Sequence, residues 1–205
     1  MDVTFTSSWY DETAEKNAAN ALIEGGCSII SQHADSMGAP SACEKAKVPN
    51  ISYNGSTKNA CPDTYMVSSR INWQPYFEYC FKAVKEGTEI ATDWTGGLGD
   101  DLYTGSVCLA ELGNNVAAGT ETKLNEVHKQ LKEGKLKVFD CSKFTVGGQA
   151  VKTFMADVDT DDKFTPDHEA VKTENGVTFI DESTLRSAPY FTLDIDGINR
   201  LDKKN

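Results

Sequence analysis

Hydrophobic and polar positions along the chain switch between a period of two and a period near 3.6, and the switches predict its elements. "VTFTSSW" (3–9) alternates and is rich in Thr and Val, so it predicts a strand. "DETAEKNAANALIEGG" (11–26) predicts a helix. Asp11 suits the N-cap, Glu12 and Glu15 suit the positive helix end, Ala14, Ala18, Ala21 and Leu22 fall near one face, and Gly25-Gly26 stops it. The strand "CSIIS", the polar loop "QHADS", a short helix around "APSACEKAK" and the strand "NISYN" follow. Strand and helix alternating in this way imply a parallel sheet.

After the loop "NGSTKNACPDT" comes a strand, "YMVSSRI". "NWQPYFEYCFKAVKEG" then predicts a strong helix with Pro75 in its first turn. Trp73, Tyr76, Phe77, Cys80, Phe81 and Val84 form one apolar stripe along it. "TEIATDW", "LYTGSVCLAEL" and "LKVFD" read as strands. "TETKLNEVHKQLKEGK" reads as a helix with Leu124, Val127 and Leu131 inward. Beyond Cys141 the character changes. "FTVGGQAVKTF" predicts a hairpin about Gly147-Gly148, and "NGVTFIDES" and "APYFTLDIDGI" are short β or irregular pieces.

Composition narrows the function classes. The 205 residues allow one large domain or two lobes of one fold, and 39% apolar residues suffice for a core. A net charge of −11 repels phosphate backbones, which argues against a nucleic-acid partner. No apolar run is long enough to span a bilayer, and the start "MDVTFTSSWY" has no signal-peptide pattern. Six cysteines (27, 43, 61, 80, 108 and 141) include no CxxC pair, so neither a zinc site nor a thioredoxin-type motif is expected. Cys27, Cys80 and Cys108 sit in apolar patterns and read as core residues, whereas Cys43, Cys61 and Cys141 stay open.

The candidate chemistry lies at strand ends. Trp9, Trp73 and Trp94 each stand at a strand–loop junction, where a crevice forms in α/β folds. Their faces suit a flat ring, and Asp11, His33, Asp35, Asn54 and Asn72 nearby suit its polar edge. For each tryptophan singly, plain packing is the simpler account. His33 and Asp35 are better placed to hydrogen-bond a ligand than to act as an acid–base pair, since no nucleophile motif surrounds them. "GGLGDD" lacks phosphate-loop spacing, and Asp100 and Asp101 would repel a phosphate. "DVDTDDKFTPDHE" begins like a calcium loop but has Asp162 for the required Gly and His168 for the required Glu, so it reads as a solvated acidic turn. No cofactor, metal or catalytic residue is expected.

Taken in order, "FTSSWYDETAEKNAANALIEGGCSIISQHADSMGAPSACEKAKVPNISYN", "VSSRINWQPYF", "DWTGGLGDDL" and "LKEGKLKVFD" resemble the basic membrane protein family, from about residue 3 to about residue 140. These are substrate-binding lipoproteins of ABC importers and include purine nucleoside receptors. The tail "SAPYFTLDIDGI" resembles the ending of members from Gram-positive anaerobes. The resemblance implies an α/β, type I periplasmic-binding-protein-like lobe, a parallel sheet flanked by helices, with the first lobe largely missing. Residues 1–54 and 89–205 would form the second lobe, and residues 55–88 would belong to the absent first one.

By the same resemblance, Trp9 stacks on the base, and the loop carrying His33, Asp35 and Ser36 contacts the ligand. Asn54 stands where nucleoside receptors have an acid that holds the ribose. Ile71, beside Arg70, stands where they have a Lys. Both departures weaken ribose contacts and leave a free base or another small ligand open. The resemblance implies an importer's solute-binding protein with a purine-like ligand and permease subunits as partners. In the full-length protein it implies an extracytoplasmic, lipid-anchored setting, with this chain soluble. The alternative is a ligand sensor of the same fold that signals to a protein partner. The Trp73–Val84 stripe, without its usual cover, is expected to pack on this lobe or on a second copy.

Overall fold

The computed structural model describes residues 1–92, 94–156, 168–181 and 193–202. They fall into two compact units, Thr4–Glu133 and a second made of Met1–Val3 with Gly134–Asn205. The first strand, β1 (Asp2–Val3), belongs to the second unit, so the strand predicted over 3–9 is much shorter than expected.

In the Thr4–Glu133 unit, α1 (Glu12–Glu24) begins where predicted. The Asp11 carboxylate accepts a hydrogen bond from Ala14 N–H at 2.9 Å, and the Glu15 carboxylate accepts one from Asp11 N–H at 3.0 Å. Two orphan amides of the first turn are thereby satisfied, and Gly25 closes the other end. The buried face differs slightly from the predicted one. It runs through Glu15 and Ala19, with Leu22 and Ile23 packed on the core, while Ala21 is exposed. Next come β2 (Ile30–Ser31), α2 (Gly38–Ala46) and β3 (Asn50–Tyr53). α1 and α2 pack through small residues around Ala19, Ile30, Ala39, Ala42 and Cys43. Gly38 marks their closest approach, because a Cβ there would lie 2.3 Å from Glu12 O.

β4 (Tyr65–Ile71), α3 (Gln74–Glu86), β5 (Val107–Leu109) and α4 (Thr120–Lys132) complete the unit. The sheet order is β2-β3-β4-β5. β2, β3 and β4 are parallel, as the alternation predicted, and β5 is antiparallel to β4 at the edge. Inside the sheet Asn50 Nδ2 donates to Ile30 O at 3.2 Å, and Ser52 Oγ donates to Asn50 Oδ1 at 2.7 Å. Both residues are fully buried, so this polar row is satisfied within the fold. α4 turns Leu124, Val127 and Leu131 inward to half-buried positions.

"TEIATDW" is not a strand over its described residues. Thr88 N–H donates to Ala83 O and Ala91 N–H donates to the Tyr79 hydroxyl, so α3 takes the backbone donors a sheet would need. "LYTGSVCLAEL" shrinks to β5 because Gly105, at φ +95°, folds against the backbone of Gly99. Cys27 and Cys80 are half-buried rather than core, while Cys43, Cys61, Cys108 and Cys141 are buried free thiols. Burial pushes the Cys43 thiol up to about 11.

The second unit is built of short pairs. β1 runs parallel to β12 (Asn199–Arg200). The predicted hairpin is present as β6 (Thr145–Val146) and β7 (Gln149–Ala150), with Gly147 and Gly148 both at positive φ. The Asp196 carboxylate accepts from both glycine amides, which holds the turn. β8 (Met155–Ala156) pairs with β9 (His168–Glu169), and β10 (Val171–Glu174) with β11 (Val177–Ile180) about Asn175-Gly176. "LKVFD" reduces to one bridge, Asp140 to Phe179, because Ser142 bonds the Asp140 carboxylate and bends the chain away. The core holds Cys141, Val151, Ala156, Ala170, Val171 and Ile180. The acidic turn at 157–167 and residues 188–192 of the tail lie outside the described residues.

Replacing Gly38 by Ala forces α1 and α2 apart, because the obstructing atoms are backbone. Gly38→Ala is expected to cost about 1–3 kcal/mol in urea denaturation, without loss of helical circular dichroism.

Candidate ligand-binding site

Two parallel strands deliver the site. β2 and β3 end side by side, and Gln32 N–H extends their ladder by donating to Ile51 O at 3.1 Å. Beyond it the chain must turn back to enter α2. The Gln32 carboxamide holds the turn, with Nε2 donating to Ala34 O at 3.1 Å and Ser36 O at 3.3 Å. Glu15 reaches in from α1 and accepts Ser36 N–H at 3.2 Å. Asp35 N–H donates to Trp9 O at 3.0 Å. Held on these sides, the loop leaves the Asp35 side chain exposed.

Across from it, Asn54 takes the left-handed conformation at φ +62°, which asparagine tolerates better than most residues. Its N–H donates to Ser69 O at 2.7 Å, so the turn after β3 is anchored on β4. The Ser52 and Thr57 hydroxyls lie 2.8 Å apart and tie that turn to the buried Asn50 row. Between the two turns is an open cavity of about 350 Å³, within the usual range for small-molecule sites. Asp35, Ser36, Tyr53, Asn54 and Thr57 are among its lining. The His33 ring packs on the Tyr53 ring with centroids 4.1 Å apart and planes tilted by 34°. The cavity therefore offers one carboxylate, several neutral donors and acceptors, and a pair of rings at its edge. Among the described residues Gln32 Oε1 is buried without a hydrogen-bond partner, an unusual state for a buried carbonyl.

The structure groups part of the predicted set and separates the rest. Asp35, Ser36 and Asn54 line the cavity, and His33 stands against its Tyr53 wall. Ser36 is 2% exposed, and its hydroxyl accepts Gly38 N–H, so it shapes the loop. Trp9 meets the loop through its carbonyl, while its side chain is 77% exposed. Asp11 has its carboxylate engaged as the cap of α1. Arg70 lies on β4 opposite Cys108. Asn72 accepts Gln74 N–H at the start of α3. Trp73 stacks on Phe77. Trp94 lies parallel to Tyr79 at 4.7 Å, so one of its faces is already occupied. Tyr53 and Thr57 were not singled out from the sequence, and Gln32 was read as part of the polar cluster after its strand without being given a ligand role. The signal for Tyr53 was present, since it closes the strand beside the one ending in "QHADS".

No protein-family profile matches the chain. The Haloferax volcanii protein TsgA13, which carries the name of an ABC transporter glucose-binding protein, is 29% identical over 142 residues, 69% of this chain and 35% of its own length. A purine-binding protein of Brucella abortus is 29% identical over 140 residues, 68% of this chain and 38% of its own. This chain is similar to ABC-transporter solute-binding proteins. Its fold is also theirs. A solved ABC-transporter solute-binding protein from Conexibacter woesei superposes with a TM-score of 0.50 over 65% of this chain and 44% of that one, at 19% identity. The resemblance read from the sequence holds at this level. The chain spans little more than a third of the length of the two curated relatives it matches.

The two aspartates at this end of the unit separate by urea denaturation. Asp11→Ala removes a helix cap and is expected to cost about 1 kcal/mol. Asp35→Ala removes only an exposed carboxylate and is expected to stay within about 0.5 kcal/mol of wild type.

Proposed function

We propose that this chain is part of the solute-binding component of an ABC importer and that it takes a small neutral, purine-like ligand, a nucleobase or nucleoside, at the carboxyl ends of β2 and β3. The cavity supports this reading best. It lies at the end of parallel strands where α/β folds collect ligands, and its walls combine the Asp35 carboxylate with the neutral groups of Asn54 and Thr57. A carboxylate accepts from ring N–H, exocyclic amino or sugar hydroxyl groups, whereas it repels phosphate. The His33–Tyr53 ring pair adds aromatic surface beside these polar groups. In this reading Trp9, exposed next to Asp35, closes onto the ligand's face. Arg70, Asn72, Trp73 and Trp94 belong to the same unit as the cavity but are not among its lining, so this reading gives them no contact with the ligand.

Two further points support binding over catalysis. The relatives named above are binding proteins, and the cavity sets no nucleophile against a base. Transfer to permease subunits and attachment through a lipid belong to the same proposal. Among the described residues no helix is long and apolar enough to cross a membrane. Binding proteins of this fold hold a ligand between two lobes and close on it. The contacts of one face alone should give weak binding.

Weak binding is best followed by nuclear magnetic resonance. Adenine, guanine, adenosine, inosine and, for contrast, glucose are titrated into the ¹⁵N-labelled chain. A purine is expected to move the amides of residues 32–36 and 53–57 in a saturable way. Asn54→Ala and Asp35→Ala are each expected to weaken it about tenfold, or 1.4 kcal/mol. Saturable shifts with glucose alone would overturn the purine assignment, and shifts confined to other residues would overturn the site.

A further inference from the structure

The hydrogen-bonding groups that line the cavity are unevenly committed. Gln32 directs its Nε2 to Ala34 O and Ser36 O. The Ser56 hydroxyl donates to the Glu111 carboxylate at 2.8 Å. The Ser52 hydroxyl gives its one hydrogen to Asn50, so in the contact between Ser52 and Thr57 it is Thr57 that donates. Three lining residues therefore have their donors engaged inside the fold. The buried Gln32 Oε1 shows the result, since no described group donates to it.

Two lining side chains keep their full capacity. Among the described residues that line the cavity, Asp35 carries the only charge, and its carboxylate takes no hydrogen bond or ion pair from the fold. Asn54 bonds Ser69 through its backbone N–H, and its carboxamide has no partner among the described residues.

We infer that the cavity reads the amino–imino edge of a guanine base, with the Asp35 carboxylate accepting from the ring N1–H and the exocyclic 2-amino group and the Asn54 carboxamide donating to the carbonyl O6. The inference rests on the purine reading above and sharpens it. Guanine is the common purine base that sets two adjacent N–H donors beside a carbonyl. A carboxylate has two acceptor oxygens and no donor, so it meets those two N–H groups in a pair of parallel, charge-assisted hydrogen bonds. Adenine can give the carboxylate one N–H from its amino group, but its N1 is an acceptor, and the second oxygen would face a lone pair. Hypoxanthine keeps N1–H and lacks the amino group. Asp35 is exposed, so an unmatched oxygen returns to water, and the discrimination is about tenfold rather than the far larger factor of a sealed site.

A ribose diol also offers a carboxylate two donors, so the test holds the sugar constant. Guanosine, inosine and adenosine carry the same ribose and differ only along this edge. Each is titrated into the ¹⁵N-labelled chain and followed at the amides of residues 32–36 and 53–57. Guanosine is expected to bind roughly tenfold tighter than inosine, and adenosine to bind more weakly than guanosine by at least as much. Asp35→Asn exchanges one acceptor for a donor and leaves the exposed position otherwise unchanged. It is expected to abolish the preference for guanosine over inosine. It is also expected to lower the ratio of guanosine to adenosine affinity roughly tenfold, because a carboxamide matches the amino group and N1 of adenine. Equal affinities for the three nucleosides would place the carboxylate on their shared ribose and overturn the inference, while the purine site would stand. Preferences that Asp35→Asn leaves unchanged would overturn it in the same way. The absence of saturable shifts with all three nucleosides would overturn the purine reading and this inference with it.

Discussion

One buried carboxylate organises the unit that carries the cavity. Glu15 is 3% exposed, and its two oxygens take Asp11 N–H, at the start of α1, and Ser36 N–H, in the loop after β2. A carboxylate out of water is costly unless hydrogen-bonded, and amide donors to a charged acceptor are among the stronger protein hydrogen bonds. Glu15 therefore settles two demands together. It completes the first turn of α1, and it fixes the loop that presents Asp35. The helix start and the cavity wall cannot shift independently, because they share one acceptor.

The opposite wall depends on a polar row inside the sheet. Asn50, Ser52 and Thr57 form a chain of hydrogen bonds from β2 to the turn that carries Asn54. An apolar row would have packed as well, but it would have left that turn tied only by backbone contacts. Buried networks with every member satisfied hold one arrangement and exclude its neighbours. The cavity is thus bounded by two loops, each locked from beneath by buried polar groups, and its exposed lining side chains, such as Asp35, are the parts left free. A small ligand meeting such a site gives up little in loop ordering.

Much of this was legible in the chain, and the exceptions share a cause. α1 declared itself through Asp11 and Glu15, α3 through Pro75 and its stripe, and the β6–β7 hairpin through Gly147-Gly148. Each of these signals is local, and local geometry satisfies it. "VTFTSSW", "TEIATDW" and "LKVFD" have equally good alternation yet form little or no strand over their described residues. A strand also needs an edge to pair with: in "TEIATDW" the Tyr79 hydroxyl takes the Ala91 N–H instead, and in "VTFTSSW" the pairing with β12 reaches only Val3. The site divides in the same way. "QHADS" was readable as a strand end, whereas the facing of Tyr53 and Asn54 depends on register across two parallel strands that no local pattern encodes.

The stripe on α3 marks the limit of pattern reading most clearly. Periodicity identified which side of the helix is apolar, and the structure keeps that side apolar. What periodicity cannot carry is what lies against it, since burial is a property of neighbours. The same six residues would read identically on a core helix, at an interface, or under another segment of chain. In this fold Ala83 and the tyrosines beside it supply the contact with the unit, and the larger rings point elsewhere. The helix thus packs through its smallest apolar residue while Phe81 and Val84 stay exposed.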